Sequence, residues 1–152
     1  MPDPQTLAER SAAAMWAGDA ASQALGMVLD AVRPGYARIS MPVRDDMVNG
    51  HSICHGGLVF ALADSAFAFA CNSYNRVAVA QACDIVFVAP ARLGDMLVAE
   101  AVERSRFGRN GIYDVTVTAV AGGGSGGAGG LVAEFRGRSR QIAGTLAEES
   151  QP

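Results

Sequence analysis

The chain has 152 residues, of which 50% are hydrophobic and 18% are charged, and its formal net charge is −3. This length suits one domain with a substantial core, so we expect a single domain over residues 1–152. The composition excludes a disordered chain, and the weak net charge argues against nucleic acid as a partner.

The cysteines and the distribution of apolar residues predict the cellular location of the chain. None of the three cysteines has a partner at C-x-x-C spacing, which favours reduced thiols and a cytoplasmic location. The stretch MPDPQTLAERSAAAMWAGD has acids and prolines where a signal peptide needs a basic start, and no segment reaches transmembrane length. The sequence therefore predicts no association with a membrane.

The first part of the chain is predicted to contain helices and then a hairpin. Residues 1–30 show alanine-rich helical spacing that stops at Gly18, and Asp19 is the expected N-cap of a second helix. MVLDAV and YARISMPV alternate in polarity on either side of Pro34-Gly35, which predicts two strands joined by a tight turn.

A polar loop, RDDMVNGHSICHGG, leads into a long apolar segment. Residues 58–63 and 66–71 contain no glycine or proline, so we predict one continuous helix with Asp64 in its middle. The alternative is a break at LADSAF, where Asp64 or Ser65 caps a second helix.

Four runs that alternate in polarity follow Asn75, namely VAVAQACDIVFVAP, DMLVAEAVERSR, GIYDVTVTAVA and LVAEFRGRSRQI. Their short connections cannot hold crossover helices, so the strands should be antiparallel and largely consecutive. Because a long apolar helix must bury its sides, we predict an α+β domain in which a strongly curved sheet wraps the helix. The glycine-rich residues 122–130 are predicted to form a flexible hairpin tip, and TLAEESQP is predicted to fray.

Asp64 is the first candidate for chemistry, because its helical neighbours include no lysine or arginine. A buried carboxylate without a cationic partner is costly. Burial raises the pKa of such a group, and carboxylates with a raised pKa are common at catalytic sites. Asp64 is therefore a candidate general base or nucleophile.

The helix start at Gly56-Gly57 is the second candidate, because its unpaired N–H groups and the helix dipole suit a developing oxyanion. Gly57 and Asp64 are seven residues apart, which is roughly 10 Å along one helix and too far for both to serve one carbonyl. We therefore predict a homodimer with antiparallel central helices, in which the glycines of one subunit face Asp64 of the other in two composite sites.

The loop before the helix contains further candidates. His51, Cys54 and His55 form an H-x-x-C-H pattern, but no fourth ligand has suitable spacing and adjacent side chains in a loop diverge. We expect no metal, a structural Cys54, and His55 in the pocket wall. Asn49 either forms a turn with Gly50 or directs its amide at a water or the substrate carbonyl, and both alternatives stay open.

Arginines alternate on two predicted strands, so each set is expected to share a face: Arg136, Arg138 and Arg140 on the last strand, and Arg104 and Arg106 on an earlier one. A solvated face is the default interpretation. If the substrate carries phosphates, these arginines or Arg109 are alternative contacts.

The segments NGHSICHGGLVFALADSAFAFACNSYN and APARLGD, in this order, resemble the hotdog-fold acyl-CoA thioesterases of the PaaI type, which act in phenylacetic acid degradation. The resemblance runs from about residue 31 to residue 140. It implies a hotdog fold and dimers that associate into a homotetramer. It also implies hydrolysis of aryl-acyl-CoA thioesters of the phenylacetyl or hydroxyphenylacetyl type. This chemistry requires no metal and no organic cofactor, because the CoA thiolate leaves readily.

The resemblance also implies roles for single residues. Asp64 matches the catalytic carboxylate, and Gly56 matches the glycine whose N–H polarises the thioester carbonyl. Asn49 matches a loop amide near the water or the carbonyl. From their own position at the helix start, and not from the resemblance, His55 and Gly57 are expected to bind the substrate.

The chain departs from its relatives at two places. Some relatives have a serine near the position of Ala82, where this chain has no hydroxyl, and residues 122–130 replace a short turn. The main alternative to a thioesterase is a non-catalytic module that binds acyl-CoA or an aromatic ligand. A dehydratase or hydratase is disfavoured because the chain has no D-x-N-x-x-H run.

Overall fold

The computed structural model describes residues 2–120 and 129–148. The predicted glycine-rich tip lies outside the described residues except for its last two positions. The described elements are α1 (Pro4–Gly18), α2 (Ala20–Ala24), β1 (Val28–Arg33), β2 (Tyr36–Pro42), a 3-10 turn (Asp45–Met47), α3 (Gly56–Cys71), β3 (Ala78–Phe87), β4 (Met96–Phe107), β5 (Asn110–Ala119) and β6 (Gly130–Gln141).

The two N-terminal helices begin at aspartate caps. The Asp3 carboxylate accepts hydrogen bonds from the N–H groups of Gln5 and Thr6 at 3.0 and 3.1 Å, which satisfies donors that lack helical partners. Asp19 accepts from the N–H of Ser22 at 3.0 Å, so its predicted role as the second N-cap is confirmed.

Helix α3 is continuous from Gly56 to Cys71, so the alternative of a break near Asp64 is wrong. Its buried side chains include Leu62, Phe67 and Phe69, and the helix packs mainly on β2, β4 and β5. Each such side chain contributes about 1.5–3 kcal/mol when fully removed from water. Burial against the sheet therefore holds this apolar helix at the centre of the core.

The six strands form one antiparallel sheet in the order β1-β2-β4-β5-β6-β3. The predicted hairpin is confirmed, because Arg33 pairs with Tyr36 across the Pro34-Gly35 turn. Strands β4, β5 and β6 are consecutive as predicted. Strand β3 is not, because it lies at the far edge beside β6, and its second edge has no partner in the described residues.

A glycine on β6 allows the sheet to close around α3. A Cβ atom at Gly137 would lie 2.7 Å from the ring of Phe67, so only glycine leaves room for this ring against the strand. The same ring contacts Tyr113 edge-on, with centroids 5.6 Å apart. Phe67 therefore links the helix to β5 and β6 at the point where the sheet curves.

The C-terminal tail does not fray over residues 145–148, so that prediction is wrong there. The Asn75 side chain accepts hydrogen bonds from the N–H groups of Leu146 and Ala147 at 3.0 and 2.8 Å. The Arg10 guanidinium donates to the carbonyl of Glu148 at 2.8 Å. The tail is thus held by the end of α3 and by α1, while residues 149–152 lie outside the described part.

Candidate active site

Asp64 lies in the middle of α3 with its side chain half-buried. Within residues 2–120 and 129–148 it has no hydrogen-bond or ion-pair partner. Burial raises the pKa of its carboxyl above the ordinary value. The acid is therefore a stronger base than an exposed aspartate, and its oxygens are available to a ligand.

The helical stripe around Asp64 consists of small residues. Gly57, Ala61 and Ala68 lie on the same side of α3 at helical spacing; Gly57 is exposed, and Ala61 and Ala68 are half-buried. The opposite side of the helix carries its fully buried residues. This stripe is an open face on which another helix can pack closely.

Two thiols lie near the carboxylate. Burial, with a contribution from the charge of Asp64, raises the pKa of Cys71 to about 12. The same two causes raise the pKa of the Cys83 thiol. Both thiols are neutral at pH 7, so neither competes with Asp64 as a nucleophile.

Cys83, and not Ala82, faces the helix from β3. Cys83 pairs with Gly137, which contacts Phe67 on the inner side of the sheet, whereas Ala82 pairs with the exposed Arg138. A bulge between residues 80 and 82 shifts the alternation of the strand by one position. Ala82 therefore faces outward, and the inward direction of Cys83 could not be predicted because a bulge leaves no clear pattern in AQACD.

The start of α3 presents free backbone donors. His55 is the N-cap but makes no side-chain cap, and its carbonyl accepts from the N–H groups of Leu58 and Val59. In the described residues, the N–H groups of Gly56 and Gly57 have no acceptor. A Cβ atom at Gly56 would lie 2.9 Å from Cζ of Phe87, so any larger residue there has to displace this exposed ring.

These donors open into a cavity of about 430 Å³, lined by Asn49, His55, Gly56, Phe87 and Pro90 among others. The side chain of Asp64 does not line this cavity. Eight residues of helix separate Gly56 from Asp64, which is roughly 12 Å. One protomer therefore brings Asn49, His55 and Gly56 together but leaves Asp64 apart from them.

The Asn49 side chain makes the turn that the sequence suggested. Its Oδ1 accepts from the N–H groups of His51 and Ile53 at 2.9 and 3.2 Å. Its Nδ2 has no acceptor among the described residues. Both alternatives for Asn49 are thus compatible, because the oxygen orders the loop while the NH₂ group remains available at the cavity.

The H-x-x-C-H pattern does not converge on one point. Cys54 is buried, and its thiol donates weakly to the carbonyl of His55 at 3.6 Å. Burial raises the pKa of this thiol, so it stays protonated. Across the described part of the chain, no group of three His, Cys, Asp or Glu side chains has the geometry to hold a metal ion.

Comparison with known proteins identifies the chemistry to which this geometry belongs. Residues 51–124, which include the loop, α3 and β3 to β5, match the family model described as thioesterase superfamily. The acyl-coenzyme A thioesterase PaaI of Escherichia coli is 41% identical over 141 residues, which cover 93% of this chain and 96% of that protein. The chain belongs to the thioesterase superfamily.

Solved structures agree with this family assignment. The Escherichia coli PaaI protein from the phenylacetic acid degradation operon matches with a TM-score of 0.86 and 40% identity, over 94% of this chain and 99% of that one. A variant of the phenylacetic acid degradation protein PaaI from Thermus thermophilus matches with a TM-score of 0.72 and 36% identity, over 80% and 97% of the two chains. The predicted hotdog fold is confirmed. Among the described residues, no helix has the length and hydrophobicity to cross a bilayer.

Most of the arginines considered for substrate phosphates in this thioesterase are already paired. Arg136 makes two hydrogen bonds to the Asp114 carboxylate, at 2.7 and 2.9 Å, and Arg104 lies 3.5 Å from the same group. Arg106 instead pairs with Glu103 at 3.2 Å, on the other side of the sheet. The expectation that Arg104 and Arg106 share a face is wrong, because a bulge between residues 103 and 105 intervenes.

Proposed function

We propose that this chain hydrolyses acyl-CoA thioesters, with aryl-acyl groups of the phenylacetyl or hydroxyphenylacetyl type, to the free acid and CoA. The observation that carries the proposal is Asp64, a half-buried carboxylate with a raised pKa and no partner in the described residues. Support for the acyl class comes from the relatives, which are named for acyl-CoA hydrolysis and for phenylacetic acid degradation. We further propose that the whole chain forms one domain.

In the proposed reaction, Asp64 removes a proton from water while the water oxygen attacks the thioester carbonyl carbon. The N–H of Gly56 donates a hydrogen bond to the oxyanion, and the Nδ2 group of Asn49 donates to the same oxygen or positions the water. Collapse of the tetrahedral intermediate breaks the C–S bond and releases the CoA thiolate. Direct attack by the Asp64 carboxylate, followed by hydrolysis of the resulting anhydride, is the alternative route.

We propose that the Gly56 cavity and Asp64 come together only in a homodimer. Strand β3 supports the homodimer, because this ten-residue strand has a second edge without a partner in the described residues and carries exposed Val79, Val86 and Phe87. The small-residue stripe around Asp64 allows two α3 helices to pack about a two-fold axis. Gly56, Gly57 and His55 of one subunit would then face Asp64 of the other, and two dimers would form a homotetramer.

A cytoplasmic location is also proposed. Cys54, Cys71 and Cys83 are all unpaired thiols, and reduced cysteines are typical of proteins in that compartment.

The first experiment measures thiol release from phenylacetyl-CoA and from a panel of aliphatic acyl-CoAs. The proposal expects turnover with a preference for the aryl-acyl substrates and loss of turnover in Asp64→Asn. Tight acyl-CoA binding without any turnover by the wild type would instead identify a binding module.

A second experiment tests the composite site. The Asp64→Asn subunit is mixed with a Gly56→Ala subunit under conditions of verified subunit exchange. Each heterodimer then contains one intact site, so activity should recover to about one quarter of wild type, because half of the randomly mixed dimers are heterodimers with one of two sites intact. No recovery would contradict the arrangement across two subunits while leaving the hydrolytic function untouched.

A further inference from the structure

A second cavity lies at the end of α3 opposite to Gly56. It has a volume of about 340 Å³ and is lined by Cys71 and Tyr113, by Ser139 and Gln141 of β6, and by residues 106–111 around the turn between β4 and β5. We call it the hairpin cavity. Its volume is at the lower end of the range for small-molecule sites, and it is far too small for CoA.

Gly111 brings two side chains close together at the wall of the hairpin cavity. A Cβ atom at this position would lie 2.8 Å from Oγ of Ser139 and 2.8 Å from Cε2 of Tyr113. The backbone of Gly111 does not adopt the left-handed conformation that favours glycine, so space rather than backbone geometry explains the residue. The side chains of Ser139 and Tyr113 therefore pack directly on the backbone of Gly111 at the wall of the cavity.

The wall of the hairpin cavity contains polar groups without partners in the described residues. Ser139 is only 5% exposed, yet its hydroxyl makes no hydrogen bond there. The side-chain amides of Asn110 and Gln141 also have no partner in residues 2–120 and 129–148. These hydroxyl and amide groups line the cavity, so they are available to donate hydrogen bonds to a ligand that enters it.

One positive charge at the cavity is available to such a ligand. Arg106 is held by Glu103 at 3.2 Å and stacks on the ring of Tyr74 at 3.6 Å, and the Tyr113 hydroxyl donates to the same Glu103 at 3.0 Å. The Glu103 carboxylate is thus paired with Arg106 and hydrogen-bonded to Tyr113, which both line the cavity. The exposed Arg109 has no side-chain partner among the described residues, and its guanidinium therefore favours an anion.

The hairpin cavity is separate from the carboxylate of the candidate active site. Asp64 is not part of its lining, and Cys71 follows Asp64 by seven residues, or roughly 10 Å of helix. Between the two positions, the 1% exposed ring of Phe67 is packed against Tyr113. A ligand at the hairpin does not need to contact Asp64.

We propose that the hairpin cavity is a binding site for a small carboxylate with a compact apolar body. Arg109 and the Ser139 hydroxyl bind the carboxylate group, and the amides of Asn110 and Gln141 complete its hydrogen bonds. The ring of Tyr113 and the side chain of Cys71 contact the apolar body. Carboxylates are also the chemical class that thioester hydrolysis releases, although binding at this site does not depend on that activity.

The test uses benzoate as the probe and benzamide as its neutral isostere, measured by calorimetry and by ligand-observed NMR on the full chain. We expect saturable binding of benzoate and at least tenfold weaker binding of benzamide, which corresponds to the loss of one charge-assisted contact. Arg109→Gln and Ser139→Ala should each weaken benzoate binding severalfold. Arg140→Gln is the matched control, because it removes an exposed arginine that pairs in register with Asn110 but does not line the cavity.

Several outcomes would overturn the proposal. Absence of saturable benzoate binding, equal binding of benzamide, or equal weakening by Arg140→Gln and Arg109→Gln would each contradict a carboxylate site at the hairpin. Loss of benzoate binding in Asp64→Asn, or its competition by CoA, would show that the probe occupies the thioester site instead. Binding that survives both of these tests supports the hairpin cavity whether or not the chain hydrolyses aryl-acyl-CoA.

Discussion

Replacing Asp64 with asparagine separates catalysis from stability. The change keeps the shape of the side chain but removes the charge and the basic oxygen. A positioned general base typically contributes about 10²- to 10⁴-fold to the rate, so kcat for thiol release should fall by that factor. This range corresponds to a barrier increase of about 3–5 kcal/mol. Continuous detection of the released thiol, with phenylacetyl-CoA as substrate, measures it directly.

The same substitution should stabilise the fold at neutral pH. Burial raises the pKa of Asp64 in the folded chain above its ordinary value of 3.8. As the pH rises through the window between these two values, the folded state holds a proton that the unfolded state has lost, so the free energy of unfolding decreases. Above the raised pKa the penalty is complete. Asp64→Asn has no such penalty, so its Tm should exceed that of the wild type at pH 7, and the gain should disappear below pH 3.8.

The control for both measurements is Asp30→Asn. Asp30 is an exposed aspartate on β1, and its replacement should change neither kcat nor Tm at pH 7. Full turnover in Asp64→Asn would refute the catalytic role. An inactive Asp64→Asn variant that is less stable than wild type at pH 7 would refute the electrostatic reasoning, because it would mean that the native carboxylate has a stabilising partner.

Three further predictions concern the oxyanion donor, the dimer and the core. In Gly56→Ala the backbone N–H remains, but the added Cβ would lie 2.9 Å from Cζ of the exposed Phe87 ring, which must move within the wall of the cavity. Because the methyl group and the displaced ring hinder the approach of a carbonyl to this N–H, kcat should fall by about 10²-fold with little change in Tm. Gly57→Ala, which has no heavy atom within 4 Å of its new Cβ, provides the reference for stability. Ala61→Arg should yield monomers in light scattering, because it places a long charged side chain in the small-residue stripe. A dimeric Ala61→Arg variant would contradict helix packing at this stripe. The control is Ala17→Arg, on an exposed position of α1, which should not change the oligomeric state. Gly137→Ala should lower the free energy of unfolding by about 1–3 kcal/mol in urea, because its Cβ would lie 2.7 Å from Phe67, and Phe67→Leu should recover part of this loss if the clash is its cause.

Local patterns were sufficient for most elements of the fold. The uninterrupted apolar run predicted α3, and the alternation around Pro34-Gly35 predicted the β1–β2 hairpin. The position of β3 was not predictable in this way, because pairing with β6 at the far edge depends on contacts between distant residues. The order of residues 145–148 was not predictable for the same reason, since their backbone is held by Asn75, about seventy positions earlier.

The candidate site was predictable for residues that combine an unusual side-chain type with a clear position along a helix. Asp64 and Gly56 were identified from a charge in an apolar helix and from glycines at its start, and the structure places both as expected on one helix. Facing directions were less predictable, because each bulge reverses the alternation of a strand. This reversal explains why Cys83 and not Ala82 faces the helix, and why the prediction that Arg104 and Arg106 share a face was wrong.

The bulge in β3 turns Cys83 toward α3, so a substitution that replaces a single atom can change the surroundings of Asp64. Cysteine and serine differ only in sulfur and oxygen, and Cys83 faces the helix that carries Asp64. Cys83→Ser therefore adds a hydrogen-bonding hydroxyl near the carboxylate with little change in side-chain shape. The polarity around Asp64 can thus be adjusted from a strand that supplies none of the proposed catalytic groups.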